Sequence, residues 1–346
     1  MAMYTTPYHG EKDLSAYSFL VTGGAGFIGS NLVEYLLKFG AGKVRVLDNF
    51  STGFKKNLEE FVLYPNFEVI EGDIRVLQVC QTAVNGMDYV FHQAALGSVP
   101  RSIEDSITTN AVNITGFLNM LVASRDEKVK RVVYAASSST YGDSIELPKV
   151  EEKHGKPLSP YAVTKYVNEL YADVFARLYN MELIGLRYFN VFGQRQDPNG
   201  AYAAVIPKFV SQLLSHKSPV VNGDGDYSRD FTYIDNVVQM NILSALSEKE
   251  NAVNQVYNVA YGQRTTLNEL IDALKKNLAR YDPDVANVKV VYGAKRPGDI
   301  PHSLASIDKA VQLLNYHPRF SIERGLREAV SYYAEGKTKN SDILIS

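Results

Sequence analysis

Short apolar runs alternate with longer stretches in which apolar residues return every three or four positions, and this rhythm fills the first half of the chain. The runs Phe19–Thr22, Lys43–Leu47, Phe67–Ile70, Met87–Phe91 and Val129–Ala136 predict strands. Helices are predicted over Asn31–Phe39, stopping at Gly40, over about Thr108–Ser124, and from Pro160, which suits a first helical turn. Strands and helices in this alternation predict a mainly parallel, doubly wound α/β sheet. Ligands of such sheets lie beyond the carboxyl ends of the strands, so the residues that end each apolar run carry the functional expectation.

The first of these ends reads Thr22-Gly-Gly-Ala-Gly-Phe-Ile-Gly29. Gly23 allows a tight turn and Gly26 lets backbone approach a pyrophosphate. Gly29 lets the new helix lie on the strand, with Phe27 and Ile28 between the last two glycines. A helix start also offers free N–H groups and a positive dipole end to phosphates. The second run ends at Asp48, nineteen residues past Gly29, where a carboxylate can accept from both hydroxyls of an adenosine ribose. That charge would repel a 2'-phosphate, so the pattern selects NAD over NADP and makes the sheet Rossmann-type. Taken alone, Asp48 could equally open a turn with Asn49. Asp73, in Gly72-Asp-Ile74, either meets the adenine amino group or caps a helix before Arg75. Ala94, in His92-Gln-Ala-Ala95, is small enough for close cofactor passage or for plain packing.

The fifth run leads into Ser137-Ser-Ser139-Thr-Tyr-Gly142, which places a serine run at the mouth of the site. Ser159-Pro-Tyr161-Ala-Val-Thr-Lys165 follows, with Tyr161 and Lys165 four apart on one helical face and the ammonium expected near the phenol. Isolated, that pair is commonplace. After a dinucleotide turn and a serine run at the correct sheet position, it reads as catalytic.

Composition removes other classes. A net charge of -2 over 346 residues leaves no basic stripe for nucleic acid and no polybasic membrane anchor. No stretch approaches the ~20 apolar residues of a membrane span. Cys80 is the only cysteine and the six histidines show no ligand spacing, so neither disulfide nor metal is expected. Residues 1–17 carry Glu11, Lys12 and Asp13 without an unbroken apolar run; they read as an arm, not a signal peptide. The expectation is a soluble cytoplasmic protein with a small-molecule partner.

These residues together resemble the extended short-chain dehydrogenase/reductases, in the branch of UDP-hexose 4-epimerases. The likeness also rests on Leu186-Arg-Tyr-Phe-Asn190, Ser228-Arg-Asp-Phe231 and Arg296-Pro-Gly-Asp299, and spans nearly the whole chain after the arm. It implies a tightly bound NAD, regenerated in each turnover. Tyr161 would take the proton of the sugar's 4-hydroxyl while C4 gives hydride to the nicotinamide. Ser137, aligned on Tyr141-Gly142, would steady the oxygen that becomes a ketone, with Ser138 and Ser139 as alternatives. A tyrosine of ordinary pKa ~10 needs a shift of about three units, roughly 4 kcal/mol, to act near neutrality, and Lys165 with the nicotinamide cation is expected to supply it. Related dehydratases carry an Asp-Glu pair before the Tyr-Gly, and related decarboxylases a glutamate. Here Ser138, Ser139 and Thr140 stand instead, so a ketone has little to do except be reduced again.

The resemblance further implies that Asn190 and Arg229 lie near the diphosphate, Arg296 near the phosphates, Asp299 on the uridine ribose and Tyr188 beside the nicotinamide. Paired phosphate oxygens suit the planar fork of arginine. In the epimerases the position held here by Ser303 faces the C2 substituent. A small residue there favours UDP-N-acetylglucosamine and UDP-N-acetylgalactosamine, as in bacterial lipopolysaccharide or capsule precursor supply. Ser98 and Arg101 would line the same pocket. UDP-hexuronates and UDP-glucose/UDP-galactose remain alternatives, as, more distantly, does a non-catalytic nucleotide sensor. Large-domain segments are expected at 18–189 and about 231–260, including a return strand near Gln255–Val259. A smaller discontinuous substrate domain takes about 190–230 and 261–346, closed by a helix over Leu326–Tyr333. The helices near 108–124 and 161–179 match those that pair into a four-helix bundle in family dimers, so a homodimer is expected.

Overall fold

Every predicted strand of the first half forms within two residues of its expected bounds in this computed structural model, which describes residues 4–198, 204–294 and 300–342. The strands are β1 (Ser18–Thr22), β2 (Lys43–Asp48), β3 (Phe67–Glu71), β4 (Tyr89–His92), β5 (Arg131–Ser137) and β6 (Leu183–Tyr188), with Gln255–Val259 as a seventh. All run parallel, in the order Gln255–Val259, β6, β5, β4, β1, β2, β3. The order reverses between β1 and β4, and Thr22 pairs with both Leu47 and His92 there. A crevice must open at that reversal, because the connections leave β1 and β4 toward opposite faces.

One face is covered by α1 (Phe27–Lys38) and the helix Ile234–Leu246; the other by helices Leu77–Val84, Gly116–Asp126 and Pro160–Tyr179. Phe117, Met120 and Leu121 are fully buried on the second face, each contributing roughly 1.5–3 kcal/mol. The Pro160–Tyr179 helix is well specified locally. The Ser159 hydroxyl accepts the Ala162 N–H at 3.1 Å, Pro160 occupies the first turn, and Asn180 ends the helix in a left-handed conformation at φ 54°. Arg187 of β6 ties this helix to the sheet through a buried ion pair with Glu169, at 2.9 and 2.7 Å.

Three helices differ from expectation. The first starts at Phe27 instead of Asn31, because Gly26 and Gly29 allow the chain to enter helix directly from the turn. The stretch expected as one helix over 108–124 is Ser106–Asn110 and Gly116–Asp126 joined by a π-turn, Ala111–Thr115. The wider turn directs Asn113 inward. The closing helix runs Ile322–Asp342, well beyond the apolar residues Leu326–Tyr333 that signalled it.

Beyond Tyr188 the structure turns to short pairings. Val191–Phe192 pairs with Thr232–Tyr233, Ser228–Arg229 with Thr265–Thr266, and Val220–Asn222 with Val291–Gly293. The arm is packed, not free. Tyr8 stacks on Tyr35 of α1 with its hydroxyl on Asp235, the Tyr4 hydroxyl donates to Asn31 at 2.6 Å, and Arg319 donates to Thr6 at 2.7 Å. No helix among the described residues is long and apolar enough to cross a membrane.

Candidate active site

A cleft of about 490 Å³ follows the strand ends from Asp48, Asn49, Asp73 and Ile74 past the glycine turn to Ala94, Ser137, Tyr161, Lys165 and Tyr188. Its floor is glycine because nothing else fits. A Cβ on Gly23, which sits at φ 68°, would lie 2.7 Å from the Ala94 nitrogen. One on Gly29 would lie 2.2 Å from the Gly23 carbonyl oxygen. Gly26, Phe27 and Ile28 line the cleft where α1 begins, so the first-turn N–H groups face it. A glycine floor, a helix start and a ribose-facing acid are the features a dinucleotide needs, and the residues present fit NAD.

Asp48 lines the cleft and also opens the turn its position allowed. One carboxylate oxygen accepts the Ala25 N–H at 2.9 Å and the other the Phe50 N–H at 2.8 Å, so it braces the glycine turn as well as the Asn49 turn. Burial pushes its carboxyl up, against the pull of those N–H donors. Asp73 lines the cleft but does not cap the next helix, which starts at Leu77 behind Val76 without a side-chain cap; its carboxylate closes a turn onto Arg75 instead. It accepts from the Arg75 N–H at 2.8 Å and is held to about 2 by the Arg75 side chain, while facing the cleft. Sequence reasoning passed over Ser51, Thr52 and Gly53, which close the ribose end; the small-residue turn just after Asp48 was the available signal.

At the far end, Ser137, Tyr161 and Lys165 converge. Burial pushes the Tyr161 phenol up and its hydrogen bond with Ser137 pulls it back. The Lys165 ammonium, on the same cleft as the phenol, donates to the Ala135 carbonyl at 2.7 Å. Burial lowers it to about 8, with Glu169 one turn along opposing that in part. Of the three serines, Ser137 lines the cleft, and Ser139 donates to its oxygen at 2.9 Å.

Four further side chains brace this end, and the sequence assigned none of them a role. Asn113, aimed inward by the π-turn, accepts from the Leu96 N–H at 2.8 Å and donates to Thr164 at 3.1 Å, joining the loop after β4 to the residue before Lys165. Gln93 and Asn241 hold the Tyr188 hydroxyl, at 3.1 and 3.0 Å. His92, paired with Thr22 at 2.8 Å, is driven to about 3 by burial and stays neutral.

The substrate candidates are less closely gathered. Asn190 and Arg229 line a second cavity of about 350 Å³ with Lys208, Phe209, Asn222 and Tyr227. Ser303 lies beside it, its N–H donating to the Ser228 carbonyl at 3.0 Å. Ser98 caps the Val99–Glu104 helix by accepting the Arg101 N–H at 3.2 Å, and neither Ser98 nor Arg101 lines the cleft, whereas Gly97 does. Arg296 and Asp299 lie outside the described residues. Behind the second cavity, the Asp230 carboxyl is buried and pushed up to about 7, against several backbone N–H donors.

Comparison with known proteins agrees with this geometry. The model of the NAD dependent epimerase/dehydratase family matches residues 19–260. A putative UDP-glucose 4-epimerase of Methanocaldococcus jannaschii is 35% identical over 316 residues, covering 90% of this chain and 97% of its own. A UDP-N-acetylglucosamine 4-epimerase from Methanobrevibacter ruminantium, solved with UDP-N-acetylmuramic acid, superposes with a TM-score of 0.86 at 39% identity, over 92% of this chain and 99% of that one. A UDP-glucuronic acid 4-epimerase from Bacillus cereus, solved with UDP-glucuronic acid and NAD, gives 0.81 at 29%, over 92% and 99%. The chain belongs to the NAD-dependent epimerase/dehydratase family, and NAD is its cofactor.

Proposed function

We propose that this protein is a UDP-sugar 4-epimerase whose preferred pair is UDP-N-acetylglucosamine and UDP-N-acetylgalactosamine. The observation that carries the reaction type is the convergence of Ser137, Tyr161 and Lys165 at one end of the dinucleotide cleft, with Ser138, Ser139 and Thr140 where eliminating relatives need acids. NAD, when bound, accepts hydride from the sugar carbon and returns it. Tyr161 takes the proton from the 4-hydroxyl and later gives it back. Ser137, already hydrogen-bonded to the phenol, holds the same oxygen as it passes through the ketone. Lys165, fixed by the Ala135 carbonyl, places a cation under the reacting end. With Ser138, Ser139 and Thr140 where eliminating relatives carry an acid and base, the 4-keto sugar turns its other face and is reduced with inversion.

Arg229 and Asn190, on the second cavity, are assigned to the diphosphate, and Ser303 to the space around C2. The small side chain of Ser303 supports an acetamido substituent. A second reading, UDP-hexuronates, draws support from the UDP-glucuronic acid bound in the Bacillus cereus structure. Offering acetylated, plain and uronic UDP-sugars separately and identifying products decides between them. Ser303→Tyr should lose use of the acetylated pair while keeping plain hexoses, and undiminished use of acetylated sugars by that variant would defeat the pocket argument.

The assembly proposed is a homodimer. Val163, Leu170, Val174 and Leu178 form one exposed stripe along the Pro160–Tyr179 helix, and Ile103 and Ile107 are exposed beside it. Six large apolar side chains on neighbouring helices suit a bundle with a second copy.

A further inference from the structure

The segments that carry Asn190, Arg229 and Ser303 have almost no regular structure to hold them. Their strands are two residues long, and two of the links are single isolated bridges, Ser228 with His302 and Lys149 with Ala305. A two-residue pairing fixes neither register nor twist. One fully buried side chain does the joining instead. The Asp230 carboxylate accepts the Tyr261 N–H at 3.1 Å, the Gly262 N–H at 3.2 and 3.1 Å on its two oxygens, and the Ala305 N–H at 3.3 Å. Its own backbone carbonyl accepts the Asn190 amide at 3.1 Å. Asp230 is the neighbour of Arg229, and Ala305 lies two residues past Ser303. The two segments that line the second cavity through Asn190 and Arg229, and the Ser303–Ala305 segment bonded beside them, are therefore referenced to one residue, which itself lines neither cavity.

We propose that Asp230 is the positioning residue of the sugar-nucleotide subsite, setting the mutual placement of Asn190, Arg229 and Ser303. The inference rests on the reading of those three residues as substrate-facing. Two carboxylate oxygens can serve three N–H donors from three directions, whereas an amide has one acceptor oxygen and would turn an N–H toward the donors it replaces. Asp230→Asn thus alters the junction at constant volume. A buried donor left without an acceptor is moved rather than tolerated, and the loops that move bear the substrate contacts.

The test is a set of variants of the full-length, NAD-loaded protein. Asp230→Asn is expected to raise KM for the UDP-sugar at least tenfold, with kcat lowered by a smaller factor and bound NAD per chain unchanged. Gly262→Ala strains the same junction from its partner side, because Gly262 sits at φ 84° with only ordinary contacts around an added Cβ. It should raise KM in the same direction, and it decides the matter if the first variant does not fold. Asp235→Asn removes another buried carboxylate, one that pairs with Tyr8 on the far face, and should lower Tm without moving KM. Arg229→Ala tests the underlying reading. If it leaves KM unchanged, the substrate assignment fails; if it raises KM while Asp230→Asn and Gly262→Ala do not, the positioning role is overturned. Equal effects of Asp230→Asn and Asp235→Asn on KM would also overturn it, since both would then act through stability alone.

Discussion

Lys165 is kept as a buried ammonium with a single carbonyl for company, and burial lowers it from its ordinary value to about 8. The folded state therefore disfavours its proton relative to the unfolded chain, by about 3 kcal/mol at neutral pH. A lowered cation costs stability below its folded pKa, and the cost fades as pH rises from about 8 toward the unfolded value near 10.4. Lys165→Met should accordingly raise Tm of the NAD-stripped protein by a few degrees at pH 7, with a gain that shrinks toward pH 10, while turnover is lost. Thermal scans across pH check this; a destabilised variant would show that the lysine is held by more than one carbonyl. Tyr161→Phe removes only the proton carrier. It should cut kcat by roughly 10²–10⁴ and leave bound NAD unchanged. Gly29→Ala should be purified without NAD, because its Cβ meets the Gly23 carbonyl oxygen at 2.2 Å; cofactor released on denaturation measures it. These residues were legible because their chemistry is tied to fixed spacing. Asn113, Gln93 and Asn241 were not, since an amide that braces a loop has no spacing of its own and is defined only by what folding brings beside it.

Among the elements, the strands were read well and the helix ends poorly. A run such as Val129–Ala136 buries both faces and so announces itself, while a helix end is set by what it packs against. The start at Phe27 was hidden by glycines, which have poor helix propensity but were needed for the cofactor floor. The π-turn at Ala111–Thr115 was hidden because one extra residue in a turn leaves the apolar spacing nearly intact. The Pro160–Tyr179 helix faces both ways. Its inner side carries Tyr161, Lys165 and Glu169, and its outer side the stripe from Val163 to Leu178. Leu170→Asp together with Leu178→Asp should yield a monomer by sedimentation, with Tm lowered through loss of the partner and not through the core. A variant that stays dimeric would place the interface elsewhere.

For the molecule as a whole, the cofactor cleft lies at the reversal of strand order, and the second cavity lies among short pairings beyond β6. The first was foreseeable from sheet logic alone. The second was not, because segments of two paired residues carry no periodicity, and only family resemblance pointed at Arg229 and Ser303. In the proposed cycle hydride never leaves the enzyme during a turnover. Substrate deuterated at C4 should therefore give product with the label retained at C4, read by mass spectrometry. Label appearing in solvent or in free coenzyme would break the proposed cycle.

The arm has one more implication, for how the molecule is made. Tyr8 closes on Asp235, Lys12 on Glu248 and Thr6 on Arg319, partners separated by 227, 236 and 313 positions. The arm thus waits for partners that are made more than two hundred residues after it. Until then Tyr35 on α1 has the stacked Tyr8 without its anchor, so the docking of the arm follows the synthesis of Asp235, Glu248 and Arg319 rather than preceding it.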